Sequence, residues 1–517
     1  MRHLATLSLA CLLLSTPALA QTLDQATADQ LATELNATVS EAFAAYGNDI
    51  KLDAPITASI TTDSYIINVS PVTITLKGEA VLKLPATTAS MRPVGTDCYT
   101  YESAFPSPIT VLDAAGKQTG QIGVTSQKVT GSWKRGVPAG AAFPLTDIRL
   151  GGVLYKDAAG IELVKIGQLT VNNTSSINEA GKLNQSTISK VAEFVARDTA
   201  GKKAISIGEL GLEAYLVDAD AAAMENMRKK AAEMRTSLDA ARTANAQNPE
   251  QLGKLAGASV VESMSKFFGE FTKVGGSSLL KGRLSNLAYL DKSTPMPTTF
   301  RMATLALGGE VKADPATGLV TYNTVYKHNG LELSPAPSDI SADFIPKILS
   351  LNISIENLPL VRLMEIGSQA LKVETAGAPA PATAKADMQA EVKAVLEQAG
   401  TSFKINELAA MTAEMAGSLK GQLTATQTSP FGAVGSFDAV IKGLDEYLAD
   451  MKVNLLAAQK AGDQDTLMES QGMFMGMTML QGMGEKSTVG TSSSRIYKIV
   501  LSPEGTLTIN GVPLPGG

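Results

Sequence analysis

The sequence predicts an α+β fold: large, curved antiparallel sheets laid out as a meander, with helices packed on one face or across an opening. Three observations carry this. Apolar residues alternate with a period of two over short stretches separated by Gly or Pro, which marks half-buried antiparallel strands. Separate blocks carry apolar residues three and four apart, which marks helices. Aromatic residues make up only 5% of the 517 residues while Gly, Ala, Thr and Met abound. That composition suits long sheets and Ala/Met-faced helices better than a small aromatic core. With 44% hydrophobic residues the chain has material for more than one core.

Residues 1–20 read as a cleavable secretory leader. Arg2 precedes an apolar run from Leu4 to Leu14, Pro17 breaks it, and Ala18-Leu19-Ala20 supplies the small-x-small pattern. Cleavage is expected after Ala20, delivering the chain to the periplasm. Residues 21–274 are expected to hold a helix, a β-meander and an αα-hairpin. The helix runs from Leu23 to about Tyr46, with Leu31, Leu35, Val39 and Phe43 on one face. Strands then recur from Ile56 to Val171, for example Tyr65, Ile67, Val69 and Val72, Ile74, Leu76. Further strands are read at Ile161–Val171 and Ile205–Val217. Met224, Met227, Ala231, Met234, Leu238 and Ala241 form a heptad-like stripe. Asn248-Pro249 turns the chain into a second helix ending near Phe271.

A second β-rich region is expected over 275–374, with strands at Leu279–Leu287 and within Phe300–Leu333. Lys327-His328-Asn329-Gly330 reads as a type I′ hairpin turn, with His328 exposed beside it. Ile348–Glu356 alternates most clearly, Leu349, Leu351, Ile353 and Ile355 against Ser350, Asn352, Ser354 and Glu356. Asn357-Leu358-Pro359 opens a helix. The Ala/Pro-rich stretch 375–386 reads as a linker or loop. The segment 387–517 is read as helix, two strands (Leu419–Gln427 and Val434–Ile441), two helices (Leu444–Gln459 and Asp463–Met483) and a closing hairpin turned at Ser502-Pro-Glu-Gly505. The two halves share a loose order of elements, so a degenerate internal duplication is expected around residue 275.

Chemistry-bearing residues are scarce. Without the leader, which takes His3 and Cys11, one histidine (His328) and one cysteine (Cys98) are left. Histidine and cysteine perform most acid–base, nucleophilic and transition-metal work, and such sites need several groups together. No G-x-S-x-G, P-loop, G-x-G-x-x-G after a strand, or H-E-x-x-H occurs. No catalytic residue and no cofactor is therefore assigned, and the chain is read as a non-enzyme. Cys98 lacks an internal disulfide partner; it is either a buried small hydrophobe or an intermolecular or reactive thiol. Asp445-Glu446 and Asp463/Asp465 are read as acids at helix starts or on solvated faces. Met473, Met475, Met477 and Met479 admit three readings: core packing, an adaptable apolar surface, or thioether ligands for Cu(I). Losing Arg2 moves the net charge from −6 to −7, which offers no footprint for nucleic acid. No stretch after the leader approaches eighteen apolar residues, so no membrane span is expected.

The closing segment Tyr497-Lys-Ile-Val-Leu-Ser-Pro-Glu-Gly-Thr-Leu-Thr-Ile-Asn-Gly-Val-Pro-Leu514 resembles the end of the YdgA-like family of Gram-negative envelope proteins. The passages Ile345–Leu360 and Tyr99–Ile109 are similar in style to it and to related alphaproteobacterial domains. That family often keeps an uncleaved N-terminal anchor, whereas this chain opens on a cleavable pattern. It brings no catalytic residues to carry over. A more distant likeness to AsmA-like envelope proteins implies a curved sheet with a lipid-holding groove. The functional expectation is a periplasmic protein that binds a lipid-like apolar ligand or supports envelope assembly. The alternatives are docking of an envelope protein partner through the Met/Ala helices, and Met-rich copper handling.

Overall fold

The computed structural model describes residues 23–44, 50–76, 80–137, 141–198, 200–247, 249–291, 298–335, 345–375, 384–461, 464–487 and 493–514. The expected leader lies outside the described residues, as does 376–383 of the expected linker. The fold is α+β, with seven helices and 25 strands among the described residues. The strand pairs described are antiparallel throughout. Contacts divide the chain into two units: Met1–Ala232 with Gly276–Leu290, and Glu233–Gly275 with Asp291–Gly517.

The first unit opens with helix α1 (Gln25–Ala44). Asp24 caps it, its carboxylate accepting from the Thr27 N–H at 2.7 Å, which pulls its pKa below the ordinary aspartate value. The expected i,i+4 face is the buried one. Ala28, Leu31 and Leu35 pack against Ile56, Tyr65, Ile67, Met91, Tyr99 and Trp133. Each fully buried Leu of this kind contributes roughly 1.5–3 kcal/mol. Polar groups then fix where the helix sits. Asn36 both donates to and accepts from the Ile56 backbone at 2.8 Å, and Arg135 donates twice to Glu34 at 3.0 and 2.7 Å.

Short strands follow α1: β1 (Ile50–Leu52), β2 (Thr57–Ile60), β3 (Tyr65–Val69), β4 (Val72–Leu76), β5 (Ala80–Leu84), β6 (Thr87–Gly95), β7 (Cys98–Ser103) and β8 (Ile109–Asp113). Longer strands succeed them: β9 (Gln118–Lys134), β10 (Leu145–Asp157), β11 (Glu162–Ile177), β12 (Lys182–Arg197), β13 (Lys203–Asp220) and β14 (Ser277–Asp291). Strand β9 is where the sheet branches. One edge pairs with β10 along its length. The other carries β8 on its first part and β7 on its last. From β10 the sheet continues as a plain meander to β14.

One turn recurs between these strands. Asp113-Ala-Ala-Gly116, Asp157-Ala-Ala-Gly160, Asn178-Glu-Ala-Gly181 and Asp198-Thr-Ala-Gly201 each use the first side chain to accept backbone N–H groups two and four residues on. Each glycine has positive φ and donates its N–H to the carbonyl of the first residue, a geometry that suits Asx-type turns.

Between β13 and β14 the chain leaves the sheet through α2 (Ala221–Gln247) and α3 (Pro249–Val274). These form the expected αα-hairpin, with the Ser237 and Ser263 hydroxyls 3.0 Å apart. The stripe from Met224 to Leu238 is half-buried along α2.

The second unit is built on β15 (Thr298–Ala313), β16 (Val320–Asn329), β17 (Glu332–Ser334), β18 (Ile348–Leu358), β19 (Ser402–Met411), β20 (Ala416–Ala425), β21 (Ala433–Lys442), β22 (Glu485–Ser487), β23 (Ser494–Leu501), β24 (Leu507–Ile509) and β25 (Val512–Pro513). Pairing runs β15-β16-β18-β19-β20-β21-β23-β24-β25. Helices α4 (Leu360–Thr375) and α5 (Ala384–Gln398) intervene between the neighbours β18 and β19. Helices α6 (Leu444–Ala461) and α7 (Gln464–Met483) intervene between β21 and β22. The expected closing hairpin is present as β23 and β24.

The hairpin expected at 327–330 does not form. β16 runs through His328 to Asn329, and Gly330 takes φ 67°. The chain then returns to the same partner: Thr304 faces Asn329 and Arg301 faces Glu332, in one unbroken register. Asn-Gly here produces a break in a continuing edge, not a reversal.

Candidate ligand-binding sheet face

Strands β9 to β14 carry the feature with most bearing on function. The registers on either side set Thr125, Gly152, Gly167, Glu193, Gly208 and Asn286 opposite one another, one residue from each strand, in a line across all six. The ladder skips these residues, yet resumes beyond them with no residue gained or lost. Every second strand turns left-handed at the line: φ is 58° at Gly152, 56° at Glu193 and 53° at Asn286. The facing side chains lie over glycines. Thr125 crosses Gly152, Glu193 covers Gly167, and Asn286 covers Gly208, so that a β-carbon at those glycines would meet them. The Thr125 hydroxyl also donates to the Gly151 carbonyl at 2.8 Å.

This transverse crease separates two apolar fields. On one side, Leu150, Leu169, Val191, Leu210 and Leu284 form a row that ends on Gln127, and two residues further Val129, Ile148, Val171 and Leu212 share the next with Ser189 and Gly282. On the other side, Val124, Val153, Ile166, Phe194, Ile207 and Leu287 form a row, and beyond it lie Ile122, Tyr155, Val164, Ile205 and Tyr289. Of these residues Leu150 alone is fully buried. Leu210, Leu212 and Tyr289 are 39%, 47% and 39% exposed. Contiguous apolar surface left in this state marks a contact site. The row between the first two carries Lys128, Arg149, Lys190 and Arg283. A cleft of about 460 Å³ runs beside the crease, lined by Ser126, Lys128, Arg149, Gln168, Ala192 and Glu193 among others.

The residues singled out in the sequence fall elsewhere. His328 is buried, at 5% exposure, which corrects the expectation of exposure at a turn. Its Nε2 lies 2.9 Å from the Pro346 carbonyl and its Nδ1 2.9 Å from the Tyr326 hydroxyl. A carbonyl only accepts, so Nε2 carries the hydrogen, and in the neutral ring the tyrosine donates to Nδ1. The Nε2 bond ties β16 to the segment before β18, while the Nδ1 bond stays within β16 and fixes the ring. Cys98, expected as a buried small hydrophobe or an intermolecular or reactive thiol, is half-buried.

Asp445 begins α6 as expected, with its side chain only 18% exposed. Arg495 of β23 donates to it twice, at 2.9 and 3.1 Å, and Gln481 of α7 donates at 2.7 Å. The guanidinium foremost holds the Asp445 pKa below the usual carboxylate range. Glu446 accepts from the Ser493 hydroxyl and N–H. These acids lock α6 and α7 to β23. Asp463 lies outside the described residues. Among the described residues no three His, Cys, Asp or Glu side chains gather into a metal-holding group.

The four methionines divide. Met473 and Met477 are half-buried, while Met475 and Met479 are 63% and 59% exposed. At ~100° per residue the two pairs point to opposite sides of α7, so four thioethers do not converge on one point. Val453 and Leu456 of α6 are similarly exposed, at 64% and 50%.

No described helix is long and apolar enough to cross a membrane. No family model, curated protein or solved structure matches this chain.

Proposed function

We propose that this is a non-enzymatic periplasmic protein that holds a hydrophobic, lipid-like ligand against the β9–β14 sheet and so serves envelope assembly or maintenance. The observation that carries the reading is the pair of largely apolar fields that extend over the six strands, their Val, Ile, Leu, Phe and Tyr residues almost all at least half-exposed. Burying such surface is favourable by ~25 cal/mol per Å², which gives an apolar ligand a reason to settle there. The leader pattern and the likeness to YdgA-like and AsmA-like envelope proteins point the same way. Organic extraction of the protein purified from its native envelope, with mass spectrometry of the extract, tests it. A stoichiometric lipid is expected; recovering none overturns the reading.

The exposed Val453, Leu456, Met475 and Met479 favour a second reading, a protein partner docked on the α6–α7 hairpin. A stoichiometric partner that co-purifies with the native chain and is lost on Met475→Glu would establish it. Copper handling is the weakest alternative. It requires a tight Cu(I) site that disappears when Met475 and Met479 are replaced by Leu.

A further inference from the structure

The crease separates rows that do not match in phase. Counting along β12, Val191 belongs to an apolar row and so does Phe194, three residues on. In an uninterrupted strand residues three apart point to opposite faces. The same three-residue step joins Leu150 to Val153, Ile166 to Leu169, Ile207 to Leu210 and Leu284 to Leu287. Between them every strand carries two successive residues that are polar or small: Thr125-Ser126, Gly151-Gly152, Gly167-Gln168, Ala192-Glu193, Gly208-Glu209 and Ser285-Asn286. Strictly regular strands would therefore split the apolar surface between the two faces of the sheet.

The backbone at the crease offers the means to avoid this. A residue outside the β region interrupts the pleat and re-aims the side chains beyond it. Left-handed residues occur in β10, β12 and β14 on this one line, with unladdered residues opposite them in β9, β11 and β13. The doubled polar positions behave as if both face the same way. Ala192 and Glu193 line one cleft together with Gly167 and Gln168, and Ser126 and Gly151 line it too.

We propose that the crease inverts the side-chain alternation of all six strands at once, joining the two apolar fields into one continuous face and turning both doubled polar rows to the other. It deepens the proposed function and rests on it only in naming this joined face as the ligand surface. The alignment registers all six inversions, so none can shift alone without losing its neighbours. At ~3.3 Å per residue the joined face is roughly 23 Å long, longer than the ~15 Å depth of one bilayer leaflet's hydrocarbon. One acyl tail can lie along it across the crease.

Single cysteines at Val191, Ala192, Phe194 and Val195, each in a Cys98→Ser background of the full chain and each carrying a bimane fluorophore, test this with a brominated fatty acid as quencher. Quenching at 191 and 194, and its loss at 192 and 195, is expected. Quenching at 191 and 195 overturns the inversion and leaves ligand binding intact. No quenching at any position overturns the ligand surface. A second measurement separates the two without ligand. In the Val191→Cys/Phe194→Cys variant of the same background, a short bismaleimide should bridge the two introduced thiols within one chain. Failure to bridge them while the circular dichroism stays native overturns the inversion.

Discussion

Gly152 shows what single residues contribute to the crease. Its left-handed φ of 58° and the Thr125 side chain lying across it leave no room for a β-carbon. Gly152→Ala should lower stability by ~1–2 kcal/mol from the backbone term alone, with a steric term in addition. Adding Thr125→Ala should recover the steric part and leave the backbone part, as read from denaturant midpoints. Asp445 makes a second case. Its folded pKa is held below 3.8, chiefly by Arg495. Its contribution is thus fully present above the unfolded value and is lost as pH falls through the lower folded value. Asp445→Asn should therefore be less stable than wild type at neutral pH, with the gap closing below about pH 3.8; a gap that widens in acid would refute this. Little of this is legible in the sequence. The Asn-Gly rule puts His328 at a turn, whereas its burial depends on Pro346 and Tyr326, the first of which only the fold brings to it. Asp445 is recognisable as an acid at a helix start, but Arg495 is fifty residues away and invisible to local pattern.

At the level of elements, long periodic segments are legible and short or sheet-buried ones are not. The i,i+4 face of α1 is the buried face, and Leu31 at its centre has no exposed surface. Leu31→Ala should cost ~2–5 kcal/mol, measurable by chemical unfolding, and loosen the β2–β3 region with which it packs. The hairpin of α2 and α3, the β18 strand and the closing hairpin also stand where their periods and turns indicate. Strands β12 and β19 lie outside those expected from periodicity. β12 opens with the mixed run Lys182-Leu-Asn-Gln-Ser-Thr, which lacks clean alternation, and it crosses the crease, where alternation is broken. The signal that could have found it is the turn on each side, Asn178-Glu-Ala-Gly181 and Asp198-Thr-Ala-Gly201. Both repeat the Asx-x-Ala-Gly pattern that joins two earlier strand pairs.

For the whole molecule, the joined apolar face can be tested without disturbing the fold. Leu212 is 47% exposed and Leu210 39%, so Leu210→Asp with Leu212→Asp removes little packing. The double variant should leave the thermal unfolding midpoint nearly unchanged while abolishing co-purifying lipid; retention of lipid would place the ligand elsewhere. That the strands would assemble into large antiparallel sheets is evident from composition and period. That six strands would break phase on one line is not, because in any single strand two polar neighbours look like noise and only the register turns them into a row. The insertion of helices between sheet neighbours has a kinetic side. Val217 pairs with Ser277 across the whole α2–α3 excursion, where a two-residue turn would have sufficed. Each doubling of an intervening loop adds only ~0.6 kcal/mol of closure entropy, so the arrangement is tolerable at equilibrium. The search for the partner strand is nevertheless non-local, and non-local pairing slows folding. During that delay one edge of β13 stands unpaired, so between synthesis of β13 and arrival of β14 pairing with a second copy of the chain competes with folding.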